Sequence, residues 1–236
     1  MGYSTMAPLC RKIVAMPLIT FEGSEGCGKS TQVKRLATRL EKCGIEAAVF
    51  REPGGTAIGE AIRHLLQHSE ENRGMTSETQ LLLFEASCSQ LVREKIQPAL
   101  QRDEWVICDR FFDSTTVYQD AARQLDLGLV ENLNAFAISN CLPDLTFVLD
   151  LDRATARSRL GNRKKIRDRM EEESDEFHER VIRTYRELAE NESKRVVLID
   201  GRISVEAIEQ QVWNVLTQHF PNLGRHQLPN IRHQTS

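Results

Sequence analysis

The chain of 236 residues carries 31 basic and 34 acidic side chains, which gives a net charge of −3 at pH 7. Broad nucleic-acid binding needs a strongly basic surface, so this balance argues against it. Hydrophobic residues make up 40% of the chain. No apolar run approaches the roughly 18 residues of a membrane span, so the sequence predicts a soluble protein.

Short apolar runs alternate with amphipathic stretches along the chain. The first run predicts a strand over residues 17–22, and the helix after it ends where Gly44 suits a left-handed cap. Further strands are predicted at 47–50, 105–109, 145–150 and 196–200, and further helices at 58–66, 77–100 and 171–192. This alternation predicts an α/β fold, a parallel sheet covered by helices on both faces. Ligands of such sheets bind beyond the carboxyl ends of the strands.

The length fits one domain, which we expect to span residues 16–220. Residues 1–15 lack the apolar core of a secretory signal, and we interpret them as an N-terminal extension, with Met16 as an alternative start. The polar tail 221–236 shows no periodicity and is predicted to be disordered. The six cysteines are scattered, without the close spacing of a zinc or redox pair, which is typical of a reduced, cytoplasmic setting.

Residues 23–30 match the phosphate-binding pattern G-x-x-x-x-G-K-[ST] in full, between a predicted strand and a predicted helix. Glycines let the backbone wrap closely around phosphate oxygens, and the helix directs its positive end at the same anion. Lys29 is predicted to span the β- and γ-phosphates of ATP, and Ser30 to bind Mg²⁺. The predicted nucleotide-binding residues are Gly23, Ser24, Glu25, Gly26, Cys27, Gly28, Lys29, Ser30 and Thr31.

The third predicted strand ends in Asp109-Arg110. A GTP switch protein would need an N-K-x-D motif, which the sequence lacks, and a motor ATPase would use a carboxylate here to orient water. An acid that faces Mg²⁺ beside an arginine that meets an acceptor phosphate fits a kinase instead. The alternative for this pair alone is a surface salt bridge.

Several motifs occur in the order typical of one enzyme family. They are Phe21-Glu22-Gly23 with the phosphate loop, Arg51-Glu52-Pro53-Gly54-Gly55-Thr56, residues 81–84 before Ala86, Asp109-Arg110, Asp113-Ser114-Thr115 with Tyr118-Gln119, and Asp168-Arg169-Met170-Glu171. On these residues the chain resembles thymidylate kinases over roughly residues 17–215. The resemblance implies a five-stranded parallel sheet, a homodimer, and phosphorylation of dTMP to dTDP by ATP.

The resemblance also implies roles in the acceptor site. Glu25 is expected to contact the deoxyribose, Arg51 and Arg110 the acceptor phosphate, and Phe84 the face of thymine. Tyr118 and Gln119 are expected to contact sugar and base. The expected substrate-binding residues are Glu25, Arg51, Pro53, Phe84, Cys88, Arg110, Ser114, Tyr118 and Gln119, and the expected metal ligands are Ser30 and Asp109.

Residues 153–170 resemble the lid that closes over ATP in this family. Eight of the seventeen residues from 153 to 169 are Arg or Lys, whereas the variable positions of the phosphate loop are not basic. The chain is therefore similar to the family type whose lid supplies a catalytic arginine, a planar donor that is always charged. Arg163 is the first candidate and Arg169 the second, with Arg159 and Arg167 behind them. Together with Lys29 and Arg110 they form the expected catalytic set.

One position departs from the family pattern. Four residues after Phe84 the family normally has an arginine that reads a thymine carbonyl, and this chain has Cys88, a weak donor. Either Arg93 or another group replaces that contact, or the enzyme accepts other deoxynucleoside monophosphates. A non-catalytic nucleotide-binding regulator is the least favoured alternative, because the loop lysine and the Asp-Arg pair are intact.

Overall fold

Five apolar segments form the strands of one parallel sheet. In a computed structural model, which describes residues 16–69, 72, 74–123, 126–161 and 173–226, the strands are β1 (Leu18–Glu22), β2 (Ala47–Arg51), β3 (Trp105–Asp109), β4 (Leu145–Asp150) and β5 (Val196–Asp200). Their order in the sheet is β2-β3-β1-β4-β5. The predicted α/β fold is therefore confirmed, and each predicted strand lies within one residue of its observed bounds.

Helices connect the strands and cover both faces of the sheet. They are α1 (Lys29–Lys42), α2 (Ala57–Gln67), α3 (Ser77–Leu91), α4 (Gln97–Gln101), α5 (Phe112–Arg123), α6 (Leu127–Ile138), α7 (Arg153–Gly161), α8 (Asp175–Asn191) and α9 (Val205–His219). One apolar layer joins the sheet to α1 and α9, a second lies against α3, and a third joins α5 and α8 to β4 and β5. No helix in the described part of the chain has the length and apolar character needed to cross a membrane.

The single helix predicted over 77–100 is interrupted. A π-helical turn, Val92–Ile96, joins α3 to α4, and Pro98 lies in the first turn of α4. Because proline has no N–H, it cannot supply the α-helical hydrogen bond to the carbonyl four residues earlier, which favours a local change of helical pitch there.

The start of α8 was predicted four residues too early. Ser174 is the N-cap, and its hydroxyl accepts a hydrogen bond from the Phe177 N–H at 3.2 Å. The acidic residues in the first turn are Asp175 and Glu176, which complement the helix dipole. Residues 171 and 172, taken as the opening acids, lie outside the described residues.

The tail is ordered where it begins, so the prediction of disorder is wrong for its first residues. Residues Pro221–His226 form a 3₁₀ helix. Leu223 is only 3% exposed and joins the core cluster that contains Trp105, whose ring lies 5.3 Å from that of Phe220. One anchoring leucine leaves no periodic signal in the sequence. Residues 1–15 and 227–236 lie outside the described part.

Candidate active site

The loop between β1 and α1 curls tightly because its glycines adopt backbone angles that other residues avoid. The φ angles are 129° at Gly23, 80° at Gly26 and 105° at Gly28. A Cβ at Gly23 would also lie 2.6 Å from the Leu149 carbonyl oxygen, so the strand neighbours admit no side chain there. The loop thus delivers the N-terminus of α1 to the carboxyl edge of the sheet, as the phosphate-binding pattern predicts.

Lys29, the first residue of α1, is 7% exposed. Its ammonium group donates to the carbonyl oxygens of Gly23 at 2.9 Å and Ser24 at 2.8 Å, and lies 3.5 Å from the thiol of Cys27. The next residue, Ser30, donates its hydroxyl to Oδ2 of Asp109 at the end of β3. The ammonium group of Lys29, the hydroxyl of Ser30 and the carboxylate of Asp109 therefore lie together where the neighbouring strands β1 and β3 end.

Arg110, directly after β3, is held in a left-handed conformation with φ of 68°. Its Nη2 lies 2.8 Å from Oε1 of Glu25 and 3.3 Å from the hydroxyl of Tyr118, and its Nη1 donates to Ser114 at 3.0 Å. Burial alone would lower the pKa of Arg110, but the surrounding groups, Tyr118 and Glu25 foremost, raise it overall. The guanidinium is thus fixed, charged and directed at the loop.

A second buried carboxylate supports the Arg110 segment from below. Glu22, at the end of β1, accepts hydrogen bonds from the Phe111 N–H at 2.7 Å, the Ser114 hydroxyl at 2.5 Å and the Tyr185 hydroxyl at 2.9 Å. Burial raises the pKa of Glu22 to about 7, against the lowering influence of Arg110. Glu22 therefore links β1, the loop after β3 and helix α8.

Lys29, Ser30, Asp109 and Arg110 line a cavity of about 360 Å³ at the carboxyl edge of the sheet. A cavity of this size falls in the range of small-molecule sites. The sequence-predicted residues that it brings together are Glu25, Gly26, Gly28, Lys29, Ser30, Thr31, Arg51, Pro53, Phe84, Asp109, Arg110, Ser114, Tyr118 and Gln119. The phosphate loop, the Asp-Arg pair and the expected base-stacking ring therefore share one space.

Five lining residues were not among the sequence-predicted site residues: Glu52, Arg63, Gln67, Phe111 and Thr115. Arg63 and Gln67 lie four residues apart on α2, a spacing that places them on one helix face and could have indicated a shared role. Glu52 and Thr115 belong to motifs that the sequence already singled out. Phe111 adjoins the Asp-Arg pair, but only the fold shows that its chain segment faces the cavity.

Some predicted residues lie elsewhere. Gly23, Ser24 and Cys27 form the inner part of the loop, behind the cavity lining. Cys88 does not line the cavity either, and the interpretation of Cys88 as a base contact is corrected. It is 1% exposed and belongs to an apolar cluster with Val106. One turn after Phe84, this face of α3 meets the sheet rather than the cavity.

Arg93, the other candidate for the base contact, is not among the residues that line the cavity. Its guanidinium donates to the carbonyl oxygens of Ala137 at 2.9 Å and Phe136 at 3.2 Å, and lies 5.8 Å from the centre of the Phe136 ring. The last carbonyl groups of a helix find no hydrogen-bond donor within that helix. The guanidinium of Arg93 supplies a donor to two such carbonyl groups at the C-terminal end of α6. These contacts do not support the hypothesis that Arg93 takes over thymine recognition, which stays a prediction.

Two further carboxyl groups are buried close to each other, Glu52 in the cavity lining and Glu85 on α3 directly after Phe84. Glu52 is 4% exposed, and burial raises its pKa well above the ordinary value, with the nearby Glu85 adding to the effect. Glu85 is 6% exposed, and burial raises its pKa to about 7. Neither oxygen of Glu85 has a hydrogen-bond partner among the described residues.

Of the predicted lid, the structure describes the part that forms α7. Arg153 and Arg157 both pair with Asp175 at the start of α8, at 2.8 Å and 3.0 Å. Arg159 lies in the last turn of α7. The candidate catalytic arginines Arg163 and Arg169, and also Arg167, lie outside the described residues.

Comparisons with known proteins agree on one family. The family model described as Thymidylate kinase matches residues 21–212. A thymidylate kinase of Geobacter sulfurreducens is 45% identical over 208 residues, covering 86% of this chain and 97% of the relative. One of Nostoc punctiforme is 39% identical over 206 residues, covering 87% and 98%. The crystal structure of thymidylate kinase from Ehrlichia chaffeensis superimposes with a TM-score of 0.70 at 32% identity, covering 86% of this chain and 99% of that one.

Proposed function

The chain belongs to the thymidylate kinase family, and from this premise we propose that its central cavity transfers the γ-phosphate of ATP to dTMP. One observation carries the proposal: Lys29 and Ser30 of the phosphate loop line the same cavity as Arg110 and Phe84 of the expected acceptor site. The relatives are named for thymidylate, which supports dTMP as acceptor rather than the broader specificity that the sequence left open.

In this proposal the phosphate loop binds the triphosphate of ATP. Backbone N–H groups and the N-terminus of α1 face the anion, and Lys29 neutralises the β- and γ-phosphates. A lid arginine, Arg163 or else Arg169, places a further positive charge beside the phosphoryl group while that group is transferred. Such fixed positive charge stabilises the transition state because phosphoryl transfer requires positioning and neutralisation more than covalent catalysis.

The acceptor binds opposite, with its phosphate on Arg51 and Arg110 and its thymine ring on Phe84. Tyr118 contacts the sugar, and Gln119 contacts the base. A phosphate oxygen of dTMP is already anionic, so it attacks in line without a general base. Exclusion of water from the cavity prevents hydrolysis of ATP, which would otherwise compete.

The donor set at the loop fits Mg²⁺. The hydroxyl of Ser30 and the carboxylate of Asp109 are oxygen ligands in mutual contact. The described residues hold no group of three or more His, Cys, Asp or Glu side chains that could bind a metal by itself. Mg²⁺ commonly takes one or two protein oxygens together with substrate phosphates, and when bound it supplies further neutralisation of the donor phosphates.

A homodimer is also proposed, with one face of the molecule as its interface. Helices α2, α3 and α6 pack side by side and present large exposed apolar side chains. These are Ile58 (54% exposed), Leu65 (36%), Leu82 (56%), Leu129 (50%) and Phe136 (73%). An apolar patch of this kind is typical of a subunit interface, and the family resemblance names a second copy of the chain as its occupant.

The cytoplasm is the proposed location. The cysteines within the described residues, from Cys27 to Cys141, are free thiols. Thiols persist in the reducing cytoplasm. Cell fractionation with an antibody against the chain would test the assignment, and recovery in an extracellular or periplasmic fraction would contradict it.

Release of ADP with and without dTMP tests the function. The wild-type protein should release ADP with ATP and dTMP together, and Lys29→Ala should lower the rate by about a hundredfold or more, because the charge on the phosphates is lost. Lys34→Ala, which removes an exposed lysine further along α1, is the matched control and should keep wild-type activity. A wild-type protein that binds ATP but shows no dTMP-dependent release would overturn the proposal.

A further inference from the structure

Helix α8 carries a buried histidine to the back of the acceptor site. His178 lies in the first turn of α8, its side chain is 1% exposed, and its Nδ1 lies 3.6 Å from Oε2 of Glu25. Within the described residues neither ring nitrogen has a hydrogen-bond partner, and neither does Oε2 of Glu25. Buried polar atoms without partners cost free energy, so this arrangement calls for an explanation.

The other oxygen of the same carboxylate already serves the cavity. Oε1 of Glu25 accepts hydrogen bonds from Arg110 at 2.8 Å and from Tyr118 at 2.6 Å. The rotation of the carboxylate plane therefore helps to set the positions of the Arg110 guanidinium and the Tyr118 hydroxyl. An anchor on Oε2 would fix that rotation.

The charges of the two groups suit a hydrogen bond between them. Burial raises the pKa of Glu25, but Arg110 and Lys29 outweigh it, so the overall pKa is lowered. Burial also lowers the pKa of His178, which favours the neutral ring although Glu25 opposes the effect. A neutral imidazole can donate one N–H, and an ionised carboxylate accepts it.

We propose that His178 is a positioning residue for the acceptor site: its Nδ1–H anchors Oε2 of Glu25, so that Oε1 keeps Arg110 and Tyr118 aligned for dTMP. The inference rests on the proposed function and adds a residue that does not touch the substrate. The ring stands 3.6 Å from its partner, slightly beyond the usual hydrogen-bond length of about 3.0 Å, so a small adjustment of the side chains completes the contact.

Two variants with the same branched shape separate the hydrogen bond from simple packing. His178→Asn keeps a donor near the position of Nδ1, whereas His178→Leu removes it and fills the site with apolar atoms. We expect His178→Leu to raise the KM for dTMP about tenfold, with the KM for ATP changed less than about twofold, and His178→Asn to restore most of the loss. If the His178→Leu variant does not fold, we expect His178→Phe to change the two KM values in the same way.

A double-mutant cycle with Glu25→Gln identifies the partner. If His178 acts through Glu25, His178→Leu should change the KM for dTMP less than about twofold in the Glu25→Gln background. A loss equally large in both backgrounds, or a KM for ATP that rises as much as that for dTMP, would assign His178 to packing alone and overturn the inference. Absence of dTMP-dependent activity in the wild-type protein would instead reject the proposed function, so the two failures are distinguishable.

Discussion

Arg110 and Glu25 form a largely buried ion pair, with 2.8 Å between Nη2 and Oε1, that joins the end of β3 to the phosphate loop. Their side chains are 16% and 13% exposed, so water screens the pair little. Separating the two groups of a buried pair would leave an uncompensated buried charge, which costs free energy. Arg110 and Glu25 are therefore held in contact with each other. The pair therefore holds the guanidinium of Arg110 at one fixed place in the cavity.

Substitution of Arg110 by lysine should damage acceptor binding selectively. Lysine keeps the charge but loses the planar fork that meets Glu25 and Ser114 together. We expect kcat/KM for dTMP to fall about a hundredfold, with the KM for ATP within about threefold of wild type. Arg102→Lys, in an exposed pair with Glu104, is the control and should behave as wild type. A rise in the KM for ATP as large as the loss toward dTMP would indicate that Arg110 contacts the phosphate donor instead.

Removal of the Cys88 thiol tests the corrected position of this residue. Because the side chain is buried in the apolar layer under α3, Cys88→Ala should lower the free energy of unfolding by about 1 kcal/mol. The KM for dTMP should change by less than about twofold. Denaturant unfolding and steady-state kinetics give the two values. A KM that rises severalfold without loss of stability would return Cys88 to the base site.

Glu85 predicts a particular dependence of stability on pH. Its pKa rises from 4.5 in the unfolded chain to about 7 in the folded protein. The stabilising contribution of its protonation is therefore complete below pH 4.5 and is lost as the pH rises through 7. Glu85→Gln, which is always neutral, should match wild type near pH 4 and exceed its free energy of unfolding near pH 8, by about 3 kcal/mol. A constant difference between the proteins across this range would show that Glu85 does not titrate there.

The apolar face of α2, α3 and α6 predicts the oligomeric state. Phe136→Asp puts a charge at its most exposed side chain and should shift the protein from dimer to monomer in analytical ultracentrifugation. Leu198→Asp, on β5 and 42% exposed, is the control and should leave the dimer intact. A wild-type protein that sediments as a monomer at micromolar concentration would reject the interface.

The sequence predicted the sheet and the loop because both leave local signals. Strands that are buried on both faces are short apolar runs, and the phosphate loop requires glycines at fixed spacing before Lys29. Arg110 and Phe84 were predicted through motifs and share the cavity with the loop. Each of these features depends on a few residues that are close together in the chain.

The features that were missed depend on how distant elements pack. Phe84 and Cys88 lie one turn apart on α3, and only the inclination of that helix decides that one faces the cavity and the other the core. His178 reads in the sequence as an ordinary buried position of an amphipathic helix, because its contact with Glu25 spans more than 150 residues. Leu223 similarly anchors the start of a tail that has no periodic pattern.

The specificity for the acceptor tests the central claim most directly. Steady-state kinetics with ATP and a panel of dTMP, dUMP, dCMP and dGMP should give a kcat/KM for dTMP that exceeds those for dCMP and dGMP by at least about a hundredfold, with dUMP in between because it lacks only the methyl group. Comparable values for dCMP or dGMP, or no transfer to dTMP, would contradict the account of a thymidylate-specific kinase.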